Sequence, residues 1–591
     1  MSSHLLTIQK LDLENCQVPG YFVISTAPIN VEDQSRINSQ TDPEILIQQI
    51  TQHLKDHEED AEVLVMIHGY NTGQSGAEWW YKTTCEYISQ HYQKAPKGLL
   101  IVGYRWSSEK IAEDEPGSFK DKIKSTQQAL PRLLGLISRL GIIGIIVGLI
   151  GTIAGIFTAL SLTSGVEILL AFVILLILSL IAVSPILTIV ALRLTVYFRD
   201  TFRAANYGVS DLVEFIRQLD QALVQNVGND DRQTQPNHRH QRRIRLSFIG
   251  LSMGAFVVTN AVRILSDVFD PGSIGNLGID NRNKCPSSEI GNAFCLGKLV
   301  LVAPDIPAEA IVSGRANTLR SSLRRFQEAY LFCNEGDMAL KLASTSANYF
   351  SFPAKTRDGG YRLGNVMVRN RLAHNNKTRQ ATAQSIVNQS EDGQLINATG
   401  LDFLDYLFIR EQKPLSERQV QVGLEENQNS IAELFTYFDC TNYQEKYRDP
   451  KTGQEKEVGI VSHALNKPFL SFGDYVSLSL DFFAGKIDTH GGYIFSSQNR
   501  PQPELSKRLI YGLSCLGFDG FLATLKTDAL FEQSLAKVVA SHPNLTALQQ
   551  EKMALLQIFS HLCGDRGMQV LLAPERYHVD VMGEIRDRNG Y

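Results

Sequence analysis

The sequence of 591 residues lacks the local motifs that mark metal and nucleotide enzymes. Its eight cysteines are scattered singly, which argues against a zinc site or a disulfide scaffold and is typical of a reducing compartment. It also contains no His-Glu-x-x-His sequence, no phosphate-binding Gly-x-x-x-x-Gly-Lys sequence and no Gly-x-Gly-x-x-Gly sequence. We therefore expect neither a metal ion nor a cofactor.

An excess of positive charge is absent as well. The chain has 57 Lys and Arg against 62 Asp and Glu, a formal net charge of −5. Proteins that hold nucleic acids surround the phosphates with positive charge, so this balance argues against a nucleic-acid partner. The length exceeds that of one ordinary domain and predicts several domains or one heavily elaborated domain.

Charge of either sign is nearly missing from one window of the sequence. Glu167 is the only charged residue between Leu140 and Leu192, with 27 uncharged residues before it and 25 after it. About 20 apolar residues suffice for a helix to cross a bilayer. We predict a two-helix transmembrane hairpin, with helices at about 140–162 and 168–192. The alternative is a pair of buried core helices in a large soluble protein.

The charges that flank the hairpin predict its orientation. Basic residues lie on both sides of the window, at Lys120, Lys122, Lys124, Arg132 and Arg139 before it and at Arg193, Arg199 and Arg203 after it. Positive flanks stay in the cytoplasm. We therefore expect a multi-pass membrane protein with both termini and the remaining chain cytoplasmic, so that the two halves of the chain can fold together.

A nucleophile-like turn follows the hairpin. A β-like run leads into Gly250-Leu-Ser252-Met-Gly254, and small and apolar residues continue with helical spacing. A serine on a sharp strand-to-helix turn needs flanking glycines, because side chains there would collide. The helix N-terminus favours the negative charge that develops in acyl transfer. The pattern predicts that Ser252 is a catalytic nucleophile.

Continuous apolar runs predict the surrounding fold. Such runs cover residues 63–67, 99–104, 298–303 and 329–333, and helical stretches separate them. Strands buried on both faces have this composition, so the pattern predicts an α/β protein with a mostly parallel sheet covered by helices.

The chain resembles the α/β-hydrolase superfamily, in particular a bacterial branch of largely uncharacterised serine hydrolases. The motifs that carry the resemblance are His68-Gly-Tyr-Asn71, Tyr104-Arg-Trp-Ser107, Gly250-Leu-Ser-Met-Gly254, Ala303-Pro-Asp-Ile306 and Asn334-Glu-Gly-Asp337. The resemblance covers about residues 60–345 apart from the hairpin, and more weakly the stretch to His490. It implies an oxyanion hole formed by the backbone N–H groups of Met253 and Tyr70, with Ser252 as the nucleophile.

The acid and the base follow the nucleophile along the chain in this fold. Asp337 comes after a β-like run and a turn-forming Asn-Glu-Gly sequence, whereas the rival Asp305 lies between two prolines, where an aspartate often fixes a turn. His490 lies in a glycine-containing loop from which an imidazole can reach the sheet edge, and His463 is its rival. His68, beside the oxyanion loop, is expected to have a packing role.

The domain organisation follows from these assignments. Residues 1–118 form the first half of the hydrolase domain, 119–203 the basic linkers and the hairpin, and 204–343 the second half with Ser252 and the acid. A cap-like insertion with the histidine segment occupies 344–500, and a mostly helical region occupies 501–591.

Together these features predict a membrane-anchored serine hydrolase, esterase-like or lipase-like, that cleaves carboxylic esters. The hairpin is inserted directly after a predicted strand, at the sheet edge that also carries Ser252. This position favours lipids or other apolar acyl substrates from the bilayer. A thioesterase or an amidase would use the same Ser-His-Asp triad. A catalytically silent hydrolase fold that acts as a membrane interaction module is the alternative from another class.

Overall fold

The computed structural model describes part of the chain, in two compact units. The described residues are 5–13, 16–27, 43–108, 196–225, 243–266, 288–312, 319, 322–345, 361–369, 385–390, 395–396, 398, 401–409, 413–417, 431–448, 453–483, 485–496 and 500–574. One unit comprises Met1–Ser108 with Arg203–Tyr591, and the other comprises Glu109–Phe202. The predicted hairpin helices, 140–162 and 168–192, lie outside the described residues. The fold below is that of the first unit.

A ten-stranded mixed sheet forms its centre. Nine strands lie on one continuous path: β1 Leu6–Lys10, β2 Gly20–Ser25, β3 Glu62–Ile67, β4 Leu99–Arg105, β5 Ile244–Leu251, β6 Phe294–Val302, β7 Glu328–Cys333, β8 Thr436–Asp439 and β9 Gln569–Leu571. Their spatial order is β1-β2-β4-β3-β5-β6-β7-β8-β9. A tenth, two-residue strand, Glu289–Ile290, pairs with β6.

Most of the sheet is parallel. Strands β2, β4, β3, β5, β6, β7 and β8 run in one direction, whereas β1 and β9 are antiparallel to their neighbours at the two edges. Every residue of β3, β4 and β7 is buried, as expected for strands that helices cover on both faces. The prediction of an α/β protein with a mostly parallel, helix-covered sheet is confirmed.

Eight helices of more than two turns accompany the sheet in the described part of the unit. They are α1 Pro43–Asp56, α2 Gln74–His91, α3 Val209–Gln225, α4 Met253–Leu265, α5 Phe472–Phe483, α6 Glu504–Thr524, α7 Phe531–Ser541 and α8 Ala547–Gly564. Short helical turns lie at Ala204–Gly208, Glu309–Val312, Leu340–Thr345, Leu363–Asn365, Leu401–Leu404, Ala432–Leu434 and Leu525–Thr527. Two small antiparallel pairs join Met367–Val368 with Leu407–Phe408 and Gln444–Arg448 with Glu455–Gly459.

One strand of the central sheet lies in the region that the sequence assigns to a cap. Within 344–500, Thr436–Asp439 is the short strand β8, which pairs in parallel with β7 and extends the central sheet. All four of its residues are buried. The loop that follows β7 and the segment that follows β8 therefore emerge at the same edge of the sheet.

Helix α6 is a core element. Together with the turn that follows it, as Glu504–Thr527, it is the only helix of the described chain that is long and apolar enough to cross a membrane, with a mean hydropathy of 1.2. Two thirds of its apolar window (67%) is buried inside the protein, which is typical of a core helix. Gly517 interrupts it with φ 71°, and the backbone N–H of Phe518 donates there to Glu328 Oε2 at 3.0 Å.

Candidate functional site

Ser252 forms the turn between β5 and α4. Its backbone has φ 55° and ψ −119°, a conformation that residues with a side chain rarely adopt. Its Oγ is buried and has no hydrogen-bond partner among the described residues. A strained turn that holds an unpaired hydroxyl at the end of a strand is the arrangement expected of a serine nucleophile.

Three glycines make this turn possible. A Cβ atom on Gly254 would collide with the carbonyl oxygen of Ile67 in β3, and one on Gly250 would lie 2.8 Å from the Cα of Ala255. A Cβ atom on Gly69 would lie 2.9 Å from the Cβ of Ser252. The glycines therefore let the loop after β3 and the first turn of α4 approach the serine closely.

The first turn of α4 and the loop after β3 border the position of Ser252. Met253 is the first residue of α4, so its N–H has no acceptor within the helix and lies at the positive end of the helix dipole. Tyr70 follows Gly69 in the loop between β3 and α2, and its ring centroid is 6.5 Å from that of His490. The loop that contacts Ser252 thus also contacts the histidine.

Asp337 and His490 form a direct pair. His490 Nδ1 lies 2.7 Å from Asp337 Oδ2, and Asp337 Oδ1 accepts from the backbone N–H of Leu340 at 3.0 Å. The carboxylate can only accept, so Nδ1 carries the proton and Nε2 keeps its lone pair. Nε2 is buried and has no hydrogen-bond partner in the described part of the chain. This nitrogen is therefore available as a base.

The pKa of His490 is raised above its ordinary value of 6.5. Burial alone lowers the pKa, but the charge of Asp337 and the hydrogen bond to it raise the pKa by more, and the carboxylates of Asp488 and Asp305 add to that effect. A neutral imidazole is consequently present only above this raised pKa.

Asp305, the rival acid, has other partners. Its Oδ1 lies 3.1 Å from Arg362 Nε and accepts a hydrogen bond from the hydroxyl of Ser344. Its backbone N–H donates to the carbonyl oxygen of Ser252 at 3.1 Å. Asp305 therefore stabilises the neighbourhood of the turn, while its carboxylate is occupied by an ion pair.

His463, the rival base, faces a different acid. Its Nε2 lies 3.6 Å from Asp481 Oδ2, on the half-exposed side of the segment after β8. Burial lowers its pKa, and Asp481 opposes that effect. Between the two histidines, only His490 pairs with a carboxylate at the carboxyl end of β7.

His68 packs at the start of the loop that follows β3. Its ring stacks on Trp106 at 5.3 Å, its Nδ1 bonds to the carbonyl oxygen of Gly69 at 2.8 Å, and its own carbonyl accepts from Trp106 Nε1. Burial lowers its pKa to about 3, so the ring is neutral. These contacts agree with the packing role expected from the sequence.

Asn334 and Thr489 connect the acid and histidine loops, which sequence reasoning did not anticipate. The side-chain amide of Asn334 donates to the carbonyl of Thr489 at 3.1 Å, and the Thr489 hydroxyl accepts from the N–H of Met338 at 3.0 Å. Asp488 Oδ1 accepts from the backbone N–H of His490 at 3.0 Å. The turn-forming Asn-Glu-Gly sequence could have indicated a structural role for Asn334. No sequence feature marks Thr489.

No metal cluster accompanies these residues: within the described ranges, no three His, Cys, Asp or Glu side chains group closely enough to hold an ion. Comparison of the chain with models of known protein families, with curated proteins and with solved structures finds no match. The function must therefore be inferred from the chemistry of the site itself.

Proposed function

We propose that the protein is a membrane-anchored serine hydrolase of the α/β-hydrolase fold that cleaves carboxylic esters. The observation that carries this proposal is the coincidence of two unpaired, buried groups at one sheet edge. They are the hydroxyl of Ser252 on a strained turn and Nε2 of His490, whose ring is paired through Nδ1 with Asp337. Structural side chains are normally hydrogen-bonded when buried, so unpaired groups of this kind point to chemistry.

The proposed reaction begins with acylation. His490 Nε2 removes the proton from Ser252 as the oxygen attacks the ester carbonyl, and Asp337 stabilises the imidazolium that forms. The backbone N–H groups of Met253 and Tyr70 donate to the tetrahedral oxyanion. His490 then returns the proton to the leaving alcohol, and an acyl-serine remains.

Deacylation uses the same groups. A water molecule loses a proton to Nε2 of His490 and attacks the acyl-serine carbonyl. Collapse of the second tetrahedral intermediate breaks the bond to Ser252, which regains a proton from His490. The products are a carboxylic acid and a free alcohol, and the enzyme is restored.

The membrane anchor is the predicted hairpin at 140–162 and 168–192. The first unit ends at Ser108, just after β4, and resumes at Arg203, whose Nη1 donates to the carbonyl of Ser107 at 3.3 Å. The departure and the return of the chain are therefore adjacent, at the carboxyl end of the parallel strands. This position supports an anchored hydrolase whose two halves lie on one side of the membrane, and the basic residues that flank the uncharged runs favour the cytoplasmic side for the catalytic domain and both termini.

An aromatic cleft supports an apolar substrate. It lies between α2, α6 and the segment that follows His490, and its lining includes Trp79, Tyr87, Phe495 and Tyr511. Polar side chains, among them Lys507, also line the cleft, and its aromatic side suits an acyl chain or another apolar group. The proposed substrates are membrane lipids or other apolar acyl esters.

The decisive experiment is labelling of the full chain in membranes with a fluorophosphonate probe. The parent chain and Ser210→Ala, which changes an exposed helical serine, are expected to label, whereas Ser252→Ala is expected not to label. Failure of the folded parent chain to react would favour the silent interaction module.

Product analysis with matched oxygen-ester, thioester and amide substrates then separates an esterase from a thioesterase or an amidase, which share this chemistry.

A further inference from the structure

Helix α5 exposes an apolar face. Phe472, Val476 and Leu480 are spaced by four residues and therefore lie on one side of the helix. Their exposed fractions are 84%, 43% and 65%. Large apolar side chains that cluster on a surface mark a site of interaction with another apolar partner.

The opposite face of α5 packs on the loop that carries the acid. Leu478 is buried against Met338, the neighbour of Asp337, and against Ile487, which precedes the histidine by three residues. The hydroxyl of Tyr475 donates to Glu335 Oε1 at 2.6 Å. Helix α5 is thus fixed to both the acid loop and the histidine loop, and its orientation is coupled to theirs.

The position of α5 selects the bilayer as its partner. The acid loop leaves the carboxyl end of β7, and the histidine loop contacts it there through the pair of Asp337 with His490. The chain also leaves the first unit after Ser108, and returns to it at Arg203, at the carboxyl end of the parallel strands. A stable protein interface uses about 20 to 30 residues from each partner, far more than this single stripe provides. A helix with a large apolar stripe lies readily in the headgroup and acyl boundary of a membrane.

We propose that α5 is a second membrane contact, in which Phe472, Val476 and Leu480 insert into the boundary between headgroups and acyl chains. The acid and histidine loops then lie directly behind the helix at the membrane surface, and the leaflet in which the helix lies is the source of the substrate. The membrane contact of α5 rests on the proposed anchoring by the hairpin, and the source of the substrate rests in addition on the proposed ester hydrolysis.

The test measures the depth of α5 in a bilayer with an environment-sensitive fluorophore. The full chain is reconstituted into vesicles of phosphatidylcholine and phosphatidylglycerol, with an NBD label on Leu480→Cys. The matched control is Leu548→Cys, which replaces an exposed leucine (49%) on the surface of α8. The label on the parent chain, with its native cysteines, provides the background.

We expect blue-shifted emission at position 480, and at least twofold stronger quenching by lipids with spin-labelled acyl chains than at position 548. Equal quenching at the two positions overturns the inference. A label at 480 that is shielded from water but not quenched by the lipids also overturns it, because another part of the chain or a second copy then covers α5.

The two proposals fail in distinguishable ways. A chain that stays in the vesicles and reacts with a fluorophosphonate, but has a water-exposed label at 480, refutes only the membrane contact of α5. A chain that does not associate with vesicles refutes the anchoring, and an anchored chain that does not react refutes the hydrolase.

Discussion

The amino and carboxyl ends of strands β3, β5 and β6 hold buried polar side chains that differ in how they are paired. At the amino end, Glu62 accepts from Lys298 Nζ at 2.6 and 2.8 Å and from Ser247 Oγ at 2.6 Å, and lies 3.2 Å from Arg245 Nε. At the carboxyl end, Ser252 Oγ has no partner in the described chain and its backbone is strained. The same strands thus carry fully paired polar groups at one end and, at the other, a hydroxyl that has no partner among the described residues.

Under the proposed function, this contrast separates the groups that stabilise the sheet from the groups that react with a substrate. The buried carboxylate of Glu62 is fully paired, so it links three strands and has no free acceptor for a substrate. An unpaired hydroxyl and an unpaired ring nitrogen lower the stability of the free protein. In the proposed reaction, however, the hydroxyl can attack a substrate and the nitrogen can accept the proton of the hydroxyl. Substitutions at the two ends should therefore affect different measurements.

The largest effect is expected for Ser252→Ala at the carboxyl end. Loss of the nucleophile should lower kcat for ester hydrolysis about 10⁵- to 10⁶-fold, as for other enzymes of this type. The melting temperature should change little, because the hydroxyl makes no hydrogen bond. Kinetics with a soluble ester and a thermal melt check both parts. A large drop in melting temperature with retained activity would reverse the contrast between the two ends.

Asp337→Asn should lower kcat by about 10⁴-fold, because the amide no longer holds the histidine in the productive tautomer. The pH profile adds a second readout. In the parent chain, activity should rise with pH through an apparent pKa above 6.5, because His490 acts as the neutral base. Without the carboxylate, burial dominates, and the acid limb should move below 6.5.

Control measurements on Asp305→Asn separate the two acids. Because Asp305 is paired with Arg362, this substitution should lower stability and leave the acid limb closer to that of the parent chain. If the acid limb of the pH profile moved in Asp305→Asn but not in Asp337→Asn, Asp305 and not Asp337 would be the carboxylate that raises the pKa of His490.

Glu62→Gln tests the amino end. The substitution leaves Lys298 buried without its counter-charge and should lower the free energy of unfolding by about 3 kcal/mol. Glu214→Gln, which removes an exposed pair with Arg217, should cost less than about 1 kcal/mol. Chemical denaturation compares the two variants. Equal costs would show that the buried network stabilises no more than a surface pair.

The smallest effect is expected for Ser252→Gly. Glycine adopts φ 55° without steric cost, so the free energy of unfolding should rise by about 1 kcal/mol although activity is lost. Ser210→Gly, in helix α3, should instead lower it by about 0.5 to 1 kcal/mol. A destabilised Ser252→Gly would show that the turn stores no strain.

Local features of the sequence predict the turn and the strands at the carboxyl end. Gly250-x-Ser252-x-Gly254 is contiguous, and the continuous apolar runs of β3, β4 and β7 identify buried parallel strands. Chain order and loop composition were sufficient to favour Asp337 and His490, which the fold brings to 2.7 Å across 153 residues of sequence. Local sequence patterns thus indicated two side chains that are far apart in the sequence but in contact in the fold.

The polar network at the amino end could not be predicted from the sequence, because its residues are far apart and belong to no local motif. Glu62 and Lys298 are 236 residues apart, and each lies at the end of an apolar run, where a charged residue reads as a solvated strand terminus. Strand β8 has only four residues and lies within a region of polar loops, so the sequence assigned it to a cap. The exposed face of α5 was equally hidden, because its composition does not tell which apolar residues face the core.

The most direct test of a reactive carboxyl end is the identity of the residue that a fluorophosphonate modifies. Peptide mapping by mass spectrometry after reaction of the full chain in membranes should place one adduct on Ser252, with a rate of modification that falls as pH drops below the raised pKa of His490. An adduct on any other residue, or no adduct on the folded chain, would contradict the account.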